Sequence, residues 1–313
     1  MLRYIIKRIV AVIPVVSVVA LFVFSLLYFS PGDPAAMLAG DNASAEDIDR
    51  IRESIGLNQE FFVQFGHWAL NVLQGDFGRS LFSNTPVSAL ILERMGPTLA
   101  LAWVTMAIAI PIGIPLGVVA AWRYGTWIDR LVSFMAVAGF SVPVFVFAYC
   151  LIYLLSIHLA WFPVQGYVEP SAGLWPFLRH LILPGVTLSL LYVAMIARMT
   201  RTTMLETLKQ DYIRTARSKG LRESRVVMKH ALRNASVPIV TTVGLGVALV
   251  ITGVVVTESV FAIPGLGRLT VDAILRRDYP VIQGMILVFS LTYMLINLLI
   301  DISYTFLDPR IRY

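Results

Sequence analysis

The segment QDYIRTARSKGLRESRVVMKHALRNASVP, residues 210–238, lies between two strongly apolar stretches and constrains how the whole chain can be arranged. Placing one cation at the centre of a bilayer costs about 3 kcal/mol, so immersing the basic residues around this segment would cost on the order of 25 kcal/mol. The segment must therefore lie in water. The nine basic residues between positions 201 and 233 are Arg201, Lys209, Arg214, Arg217, Lys219, Arg222, Arg225, Lys229 and Arg233.

Within this basic segment, the residue types predict a helix, a turn and a second helix. Asp211 can cap a first helix that begins at Tyr212, because its carboxylate can accept hydrogen bonds from the free amides of the first turn. Gly220 suits the turn that follows, since glycine adopts a positive φ without strain. The second helix is predicted from Ser224 to Asn234.

The first of these helices has a face of small side chains. Ile213, Ala216 and Gly220 lie at positions i, i+3 and i+7, which places them on one side of the helix. A shallow face of this kind favours insertion into a groove on another protein. The alternative interpretation is a solvated basic loop that only satisfies membrane topology.

The composition places the chain in a membrane. Its 313 residues are 58% hydrophobic and only 14% charged, and the mean hydropathy is +0.77, which leaves too little polar surface for a water-soluble fold. The net charge of +6 does not indicate nucleic-acid binding, because the cations are concentrated in short loops without interleaved aromatic residues. The single cysteine, Cys150, excludes an intrachain disulfide, and the scattered histidines predict no metal site.

Six apolar stretches are long enough to cross the hydrocarbon core, which needs about 20 helical residues. If the N-terminus is inside, four pieces of the chain lie on the inner side, and they contain most of the basic residues. These pieces are residues 1–8, 122–130, 198–234 and 308–313. The positive-inside rule therefore predicts that both termini are cytoplasmic. The predicted spans are residues 9–29, 98–121, 131–157, 181–197, 239–261 and 281–306.

These spans divide the chain into three parts. Residues 1–29 form the N-terminal tail and the first span, and residues 30–97 form a large external segment. Residues 98–313 form the core, which contains a cytoplasmic loop at residues 198–234.

The external segment contains one turn signal and two amphipathic patterns. The turn sequence is SPGDP at residues 30–34, and a Ser-x-x-Asp capping pattern predicts a helix at residues 44–55. Residues 60–73 predict a second helix that can fold back on the membrane surface or on its neighbour. Its apolar stripe consists of Phe61, Phe65, Trp68 and Val72.

A few residues inside the spans have a distinct predicted role. Pro111 and Pro115 can bend the second span and Pro143 the third, and Gly244, Gly246 and Gly253 allow the fifth span to approach other helices closely. Glu258 is an ionisable residue in an apolar run. Its place near the end of that run predicts structural pairing with water or an arginine neighbour.

The chain lacks the motifs of hydrolytic enzymes. No G-x-x-x-x-G-K-[ST] phosphate-binding loop occurs, and GLGR at residues 265–268 lacks the required lysine. No H-E-x-x-H or G-x-S-x-G motif occurs either. We therefore predict no catalytic residue, no metal site and no cofactor in this chain.

A polar connection precedes the last span. Residues 265–279 predict an external hairpin whose Arg268, Asp272, Arg276 and Arg277 could face a soluble partner. The alternative is a tight polar link between two spans that contacts no other protein.

The run DYIRTARSKGL at residues 211–221, followed by HALRNASVP at residues 230–238, closely resembles the cytoplasmic coupling loop of ABC importer permeases of the dipeptide, oligopeptide, nickel and glutathione subfamily. Arg214, Thr215 and Ala216 occupy the Glu-Ala-Ala positions of the broader importer pattern, with arginine in place of the acid. Further stretches across nearly the whole chain are similar to the first of the two permease subunits of peptide importers. They are LRYIIKRIVAVIPV, SPGDP, LNQEFFVQFGHWALNVLQGDFGRSL, FAIPGLGRLTVDAILRRDYPVIQG and LDPRIRY.

The resemblance implies an all-α, six-helix permease of the type I importer class in a bacterial inner membrane. It implies that the basic loop docks onto a separate ATPase and that an external binding protein docks on the other side. The implied ATPase-coupling residues are Asp211, Tyr212, Arg214, Thr215, Ala216, Lys219, Gly220, His230 and Arg233. The implied docking residues for the binding protein are Arg268, Asp272, Arg276, Arg277 and Asp278.

The resemblance also implies the partners and the cargo. The expected partners are a second, homologous permease, two cytoplasmic ATPase subunits that carry ATP and Mg, a periplasmic peptide-binding protein and membrane lipid. Dipeptides, longer peptides, glutathione and nickel complexes all remain open as cargo. Two other classes compete with this interpretation, an ion-coupled secondary carrier that works alone and a polytopic membrane enzyme or scaffold.

Overall fold

The computed structural model describes residues 2–29, 44–54 and 58–307. Over these ranges the chain is almost wholly helical, and the one isolated β-bridge found there joins Arg79 to Pro86. The main helices are α1 (Leu2–Tyr28), α2 (Ala45–Ser54), α3 (Phe61–Leu73), α4 (Val87–Trp122), α5 (Trp127–Ser141), α6 (Val144–His158), α7 (Leu174–Leu208), α8 (Asp211–Ser218), α9 (Glu223–Gly253), α10 (Val255–Val260), α11 (Leu266–Arg276) and α12 (Tyr279–Leu307).

Most of the predicted membrane spans form long apolar helices. Within the described ranges, four helices are long and apolar enough to cross a membrane. They contain the second and fourth predicted stretches and most of the fifth and sixth, and the fifth is interrupted at Val254, between α9 and α10. The first predicted stretch overlaps α1. The apolar part of this helix, Val10–Ser25, is shorter than the four long helices and is not counted among them. The four long helices are Val87–Trp122, Leu174–Leu208, Glu223–Gly253 and Tyr279–Tyr304.

The third predicted span is bent. Helices α5 and α6 meet at an angle of 100°, so this pair is either one broken span or a re-entrant loop. The break lies at Val142, whose φ of −98° and ψ of 125° are extended. A proline disfavours the helical conformation of the residue before it, so Pro143 accounts for the break at the predicted position.

The chain divides into two compact units. The described residues of the larger unit are 2–6, 96–268 and 293–307, and those of the second unit are 7–29, 44–54, 58–95 and 269–292.

In the larger unit, close backbone approach packs α4 and α5 against α7. A Cβ atom at Gly117 in α4 would lie 2.5 Å from the carbonyl oxygen of Ala197 in α7, and one at Gly139 in α5 would lie 3.0 Å from Ala194. Small residues drive such packing in membranes, because lipid removes the hydrophobic incentive for helix association. These contacts make α7 the central helix of the unit.

The fifth predicted span shows close approach at two of its three predicted glycines. Gly246 lies against Met106, and a side chain at Gly244 would collide with Ile300. Gly253 has open space where its side chain would be. The prediction of close helix approach is therefore confirmed for Gly244 and Gly246 and is wrong for Gly253.

The helix that follows the basic loop is longer than predicted. It does not end at Asn234 but continues through Pro238 to Gly253. Pro238 cannot donate a backbone hydrogen bond, which normally weakens a helix interior. Ala235 and Ile239, on either side, are buried in the core, and this packing keeps the helix continuous.

Glu258 is buried completely and is paired, as predicted, and its partners include a threonine hydroxyl and a backbone amide. The Thr98 hydroxyl donates to its Oε1 at 2.6 Å, and the Arg268 amide donates to its Oε2 at 3.0 Å. The Leu266 amide in turn donates to the Thr98 hydroxyl at 2.8 Å. A side chain at Gly265 would collide with the Glu258 carboxylate. The Glu258 carboxylate therefore lies at the N-terminus of α11, where the helix dipole favours a negative charge.

An ion pair fixes the first turn of α5 to α7. Asp129 is 4% exposed and accepts two hydrogen bonds from Arg201, at 2.5 and 3.0 Å, and a third from the Gly125 amide at 3.1 Å. The Arg201 guanidinium also lies 5.7 Å from the centre of the Tyr124 ring. A buried carboxylate needs such complete pairing. Our sequence analysis treated Arg201 only as one of the basic residues and missed this pair.

The second unit contains the packed core of the external segment. The stripe predicted for residues 60–73 packs on α1, where the Phe24 ring lies 5.4, 5.6 and 5.5 Å from the rings of Phe61, Phe65 and Trp68. Helix α2 begins directly after Ser44, as its capping pattern predicts. The SPGDP sequence lies outside the described residues.

The Glu258 contacts generate a prediction about stability. A glutamine at position 258 would keep one acceptor oxygen but would turn an NH₂ group toward a donor. We expect Glu258→Gln to lower the free energy of unfolding by ~2 kcal/mol, the scale of hydrogen bonds to a charged group. Denaturant unfolding in detergent micelles would measure this, with the exposed Glu93 changed to Gln as the control. Equal stability of the two variants would contradict the role of Glu258.

Candidate functional site: the basic loop between α7 and α9

Helix α8 begins one residue earlier than predicted. Asp211 is the first helical residue, and Gln210 occupies the capping position without a side-chain hydrogen bond. The prediction that Asp211 caps the helix is therefore wrong, although an acid in the first turn still suits the helix dipole. The Asp211 backbone carbonyl accepts a hydrogen bond from the Thr215 hydroxyl, and its exposed carboxylate lies 3.5 Å from Arg214.

The small face of α8 packs inside this chain. Ile213 is 0% exposed and Ala216 is 8% exposed. The prediction that these side chains enter a groove on another protein is therefore wrong, because the groove is formed by the chain itself. The buried members of this cluster are Val118, Ala121, Met204, Ile213, Ala216, Val226, Val227, Ala231, Ala235 and Ile239.

Gly220 ends α8 in the predicted manner. Its φ is +75°, its amide donates to the carbonyl of Arg217 at 2.9 Å, and the Leu221 amide donates to the carbonyl of Ala216 at 3.4 Å. This pair of hydrogen bonds defines a Schellman motif, in which a positive φ closes the helix. Leu221 packs on the same cluster as Ala216, which gives the turn its usual hydrophobic contact.

A charged pair spans the turn. The Arg217 guanidinium donates two hydrogen bonds to the Glu223 carboxylate, at 3.1 and 2.5 Å. These hydrogen bonds raise the pKa of Arg217 above its ordinary value. The pair joins the last turn of α8 to the first turn of α9. In the sequence, Arg217 stands out only as one of the nine basic residues, because residue spacing does not show how sharply the chain turns.

The outer side of α8 and the adjoining part of α9 form a polar surface. The structure places the predicted coupling residue Ala216 in the core and leaves His230 half-buried. Met228 is 58% exposed on α9 and was not among the predicted residues, although an apolar residue in a basic run is a signal for contact. The predicted coupling residues that are exposed are Asp211, Tyr212, Arg214, Thr215, Lys219, Gly220 and Arg233.

The polar connection before α12 is a helix rather than the predicted hairpin. Helix α11 runs from Leu266 to Arg276, and both Leu266 and Ala273, seven residues apart, are buried. Burial of one helical face explains why the helix forms. The helix ends at Arg277, whose φ is +57°.

One of the five predicted docking residues is not accessible. Asp278 is 5% exposed and accepts hydrogen bonds from the Ser80 hydroxyl at 2.5 Å and from the Leu81 amide at 3.2 Å. These contacts correct the assignment of Asp278 to a docking surface. Of the other four residues, three are exposed and Arg268 is half-buried; the exposed ones are Asp272, Arg276 and Arg277.

The described part of the chain contains no group of three or more histidine, cysteine, aspartate or glutamate side chains placed to hold a metal ion. Cys150 is a free, exposed thiol. The chemistry of the basic loop is therefore that of a surface of charges and hydrogen-bonding groups, which can bind another protein.

Comparison with known proteins places these features in a family. The chain is 50% identical to the probable peptide ABC transporter permease protein y4tP of Sinorhizobium fredii over 310 residues, which are 99% of each chain. It is 48% identical to the putative peptide transport system permease protein BAB2_1050 of Brucella abortus over 313 residues, the full length of both. It is 45% identical to the glutathione transport system permease protein GsiC of Escherichia coli K12 over 314 residues, again the full length of both.

The fold has a solved counterpart. A chain of the MetNI methionine ABC transporter, in an inward-facing conformation, matches with a TM-score of 0.58 and 20% sequence identity over 70% of this chain and 96% of that chain. Two family models also match. The binding-protein-dependent transport system inner membrane component covers residues 113–313, and the N-terminal membrane component of the same systems covers residues 1–102. This chain therefore belongs to the family of inner membrane components of binding-protein-dependent transport systems, the permeases of ABC importers.

Proposed function

We propose that this chain is one of two permease subunits of an importer that moves small peptides across a bacterial inner membrane. The observation that carries the proposal is the full-length identity of 45–50% to permeases named for peptide and glutathione transport. The ordered basic loop is consistent with it, because a docking surface for an ATPase must keep its shape. Dipeptides are the favoured cargo, with glutathione as a further candidate.

The proposed membrane arrangement has six spans and cytoplasmic termini. It counts α1, α4, α7 and α12 as single spans, the bent pair α5 and α6 as one span, and α9 with α10 as another. The distribution of basic residues supports this orientation, with residues 30–97 outside and the loop at residues 198–234 in the cytoplasm. The exposed apolar side chains of these helices would then face lipid and the second permease.

The proposed coupling surface is the exposed side of α8 and of the turn after it. Tyr212, Arg214, Thr215 and Lys219 would contact an ATPase subunit, which binds ATP and Mg. Ala216 then acts from inside, because it fastens α8 to the core of this chain. Movement of the ATPase would thus be passed to α7 and α9.

The proposed external partner is a periplasmic binding protein that delivers the peptide. Arg268, Asp272, Arg276 and Arg277 remain the candidate docking residues on this side. Their charges suit a transient contact with a soluble protein, since complementary charges speed encounter more than they increase affinity.

Reconstitution tests the proposed function directly. Vesicles that contain this permease, its partner permease and both ATPase subunits should take up dipeptides only when ATP is enclosed and the loaded binding protein is outside. The same vesicles should show no uptake under an ion gradient without ATP. Uptake by this chain alone under an ion gradient would show instead that it is a secondary carrier.

The coupling surface predicts the effect of a charge reversal. Arg214 is exposed, so Arg214→Glu should leave insertion and subunit assembly unchanged. We expect it to reduce the stimulation of ATP hydrolysis by loaded binding protein by about tenfold, or ~1.4 kcal/mol of coupling free energy. Arg123→Glu is the matched control, because Arg123 is also exposed and lies in the proposed cytoplasmic loop between α4 and α5. Equal losses in the two variants would argue against a coupling surface on α8.

The turn at Gly220 predicts a graded series. No atom lies within 4 Å of the place where a Cβ would be, so the cost of a side chain is conformational and not steric. Asparagine tolerates a positive φ, whereas a β-branched residue strongly disfavours it. We therefore expect Gly220→Asn to retain most ATPase stimulation and Gly220→Val to lose most of it. If both variants behave alike, the conformation of this turn does not matter for coupling.

A further inference from the structure

Helix α3, Phe61–Leu73, has a second apolar face that the fold leaves uncovered. Its aromatic face packs on Phe24 of α1. On another side, Phe62 is 76% exposed, Leu70 is 57% exposed and Leu73 is 84% exposed. A contiguous patch of large apolar side chains is unusual on a surface that faces water and marks a contact with a protein or a membrane.

The helical positions show how little of α3 suits water. At about 100° per residue, four apolar side chains fall within an arc of about 100° around the helix axis. They are Phe62, Val63, Leu70 and Leu73. This arc of apolar side chains adjoins the face of α3 that packs on α1. The polar residues occupy the remaining arc, and they are Gln64, His67, Asn71 and Gln74. No Asp, Glu, Lys or Arg lies within α3, whereas Glu60 and Asp76 flank it.

The position of α3 along α1 indicates what covers the free face. Phe24, the contact point, lies five residues before the end of the apolar run at residues 9–29. Val18 and Phe22 on the same helix are 67% and 62% exposed, as expected for side chains that face acyl chains. The uncovered face of α3 therefore lies close to the end of the apolar run of α1, near the point where α1 would leave the membrane.

We propose that α3 lies in the outer interface of the membrane, with Phe62, Leu70 and Leu73 inserted among the lipid acyl chains. His67 and Asn71 point to the headgroups and water. The charged residues at the two ends, Glu60 and Asp76, keep the helix from sinking deeper. The helix thereby anchors the middle of the external segment on the lipid surface.

This inference rests on the proposed function only for the side of the membrane on which α3 lies. Spin labels test it in the assembled transporter, reconstituted in vesicles of phosphatidylethanolamine and phosphatidylglycerol. A Cys150→Ser background would carry single cysteines at positions 62, 70 and 73, with cysteines at 67 and 71 as matched controls on the same helix. Power saturation compares collisions of each label with oxygen, which is concentrated in lipid, and with a water-soluble nickel complex.

We expect oxygen to dominate for Phe62→Cys, Leu70→Cys and Leu73→Cys, at depths of about 5–10 Å below the phosphates. The nickel complex should dominate for His67→Cys and Asn71→Cys. Access of the nickel complex to all five labels would show a water-facing helix and overturn the proposal. Protection of the three apolar positions from both reagents would show a covering protein and overturn it equally.

Peptide uptake by the same vesicles separates this inference from the proposed function. ATP-dependent uptake together with water-exposed labels at positions 62, 70 and 73 would reject the lipid contact alone. Lipid-exposed labels without peptide uptake would support the contact of α3 with the bilayer and reject the assigned transport function alone.

Discussion

The burial of Ile213 and Ala216 is the contact on which the shape of the basic loop depends. Helix α8 has eight residues, and a helix of that length is not stable by itself in water. Its two buried side chains join a cluster that also contains Val118 of α4, Met204 of α7 and Ile239 of α9. Because packed cores deform little, a force on the exposed side of α8 would reach three long helices instead of being lost in a flexible loop.

Two buried carboxylates hold other helices of the larger unit together. Asp129 and Glu258 each lie in a protein interior, where an unpaired carboxylate would be very costly. Each is satisfied by donors from distant parts of the sequence, Arg201 for Asp129 and Thr98 for Glu258. Such pairing links these carboxylates to helices that lie far away in the sequence. In the proposed function, this pairing would help to pass movement that begins in an ATPase subunit to the helices of the permease.

Local features of the fold could be predicted from the sequence, whereas contacts between residues far apart in the sequence could not. Gly220, Pro143 and most of the apolar runs act within a few residues, so their turn, break and helices were located correctly. Pro111 and Pro115 did not break α4, and the fifth apolar run is interrupted at Val254. The face of Ile213 and Ala216 was also identified, but periodicity does not say which surface covers a face. The partners of Asp129 and Glu258 lie 72 and 160 residues away in the sequence, and no spacing rule reaches that far. The helix through Pro238 was missed because local propensity opposes it and only tertiary packing sustains it.

The start of α9 shows how packing sets the register of the loop. Residues Val226–Ala231 form a π-helix, in which each turn is wider than in an α-helix. In a regular α-helix, Val226 and Val227 would diverge by about 100° around the axis. Here both valines are buried in the cluster that holds α8. Met228 and Lys229 are left on the outside, next in sequence to the buried pair. The burial of these two valines thus fixes how the start of α9 is rotated, and this rotation decides which side chains the loop leaves exposed.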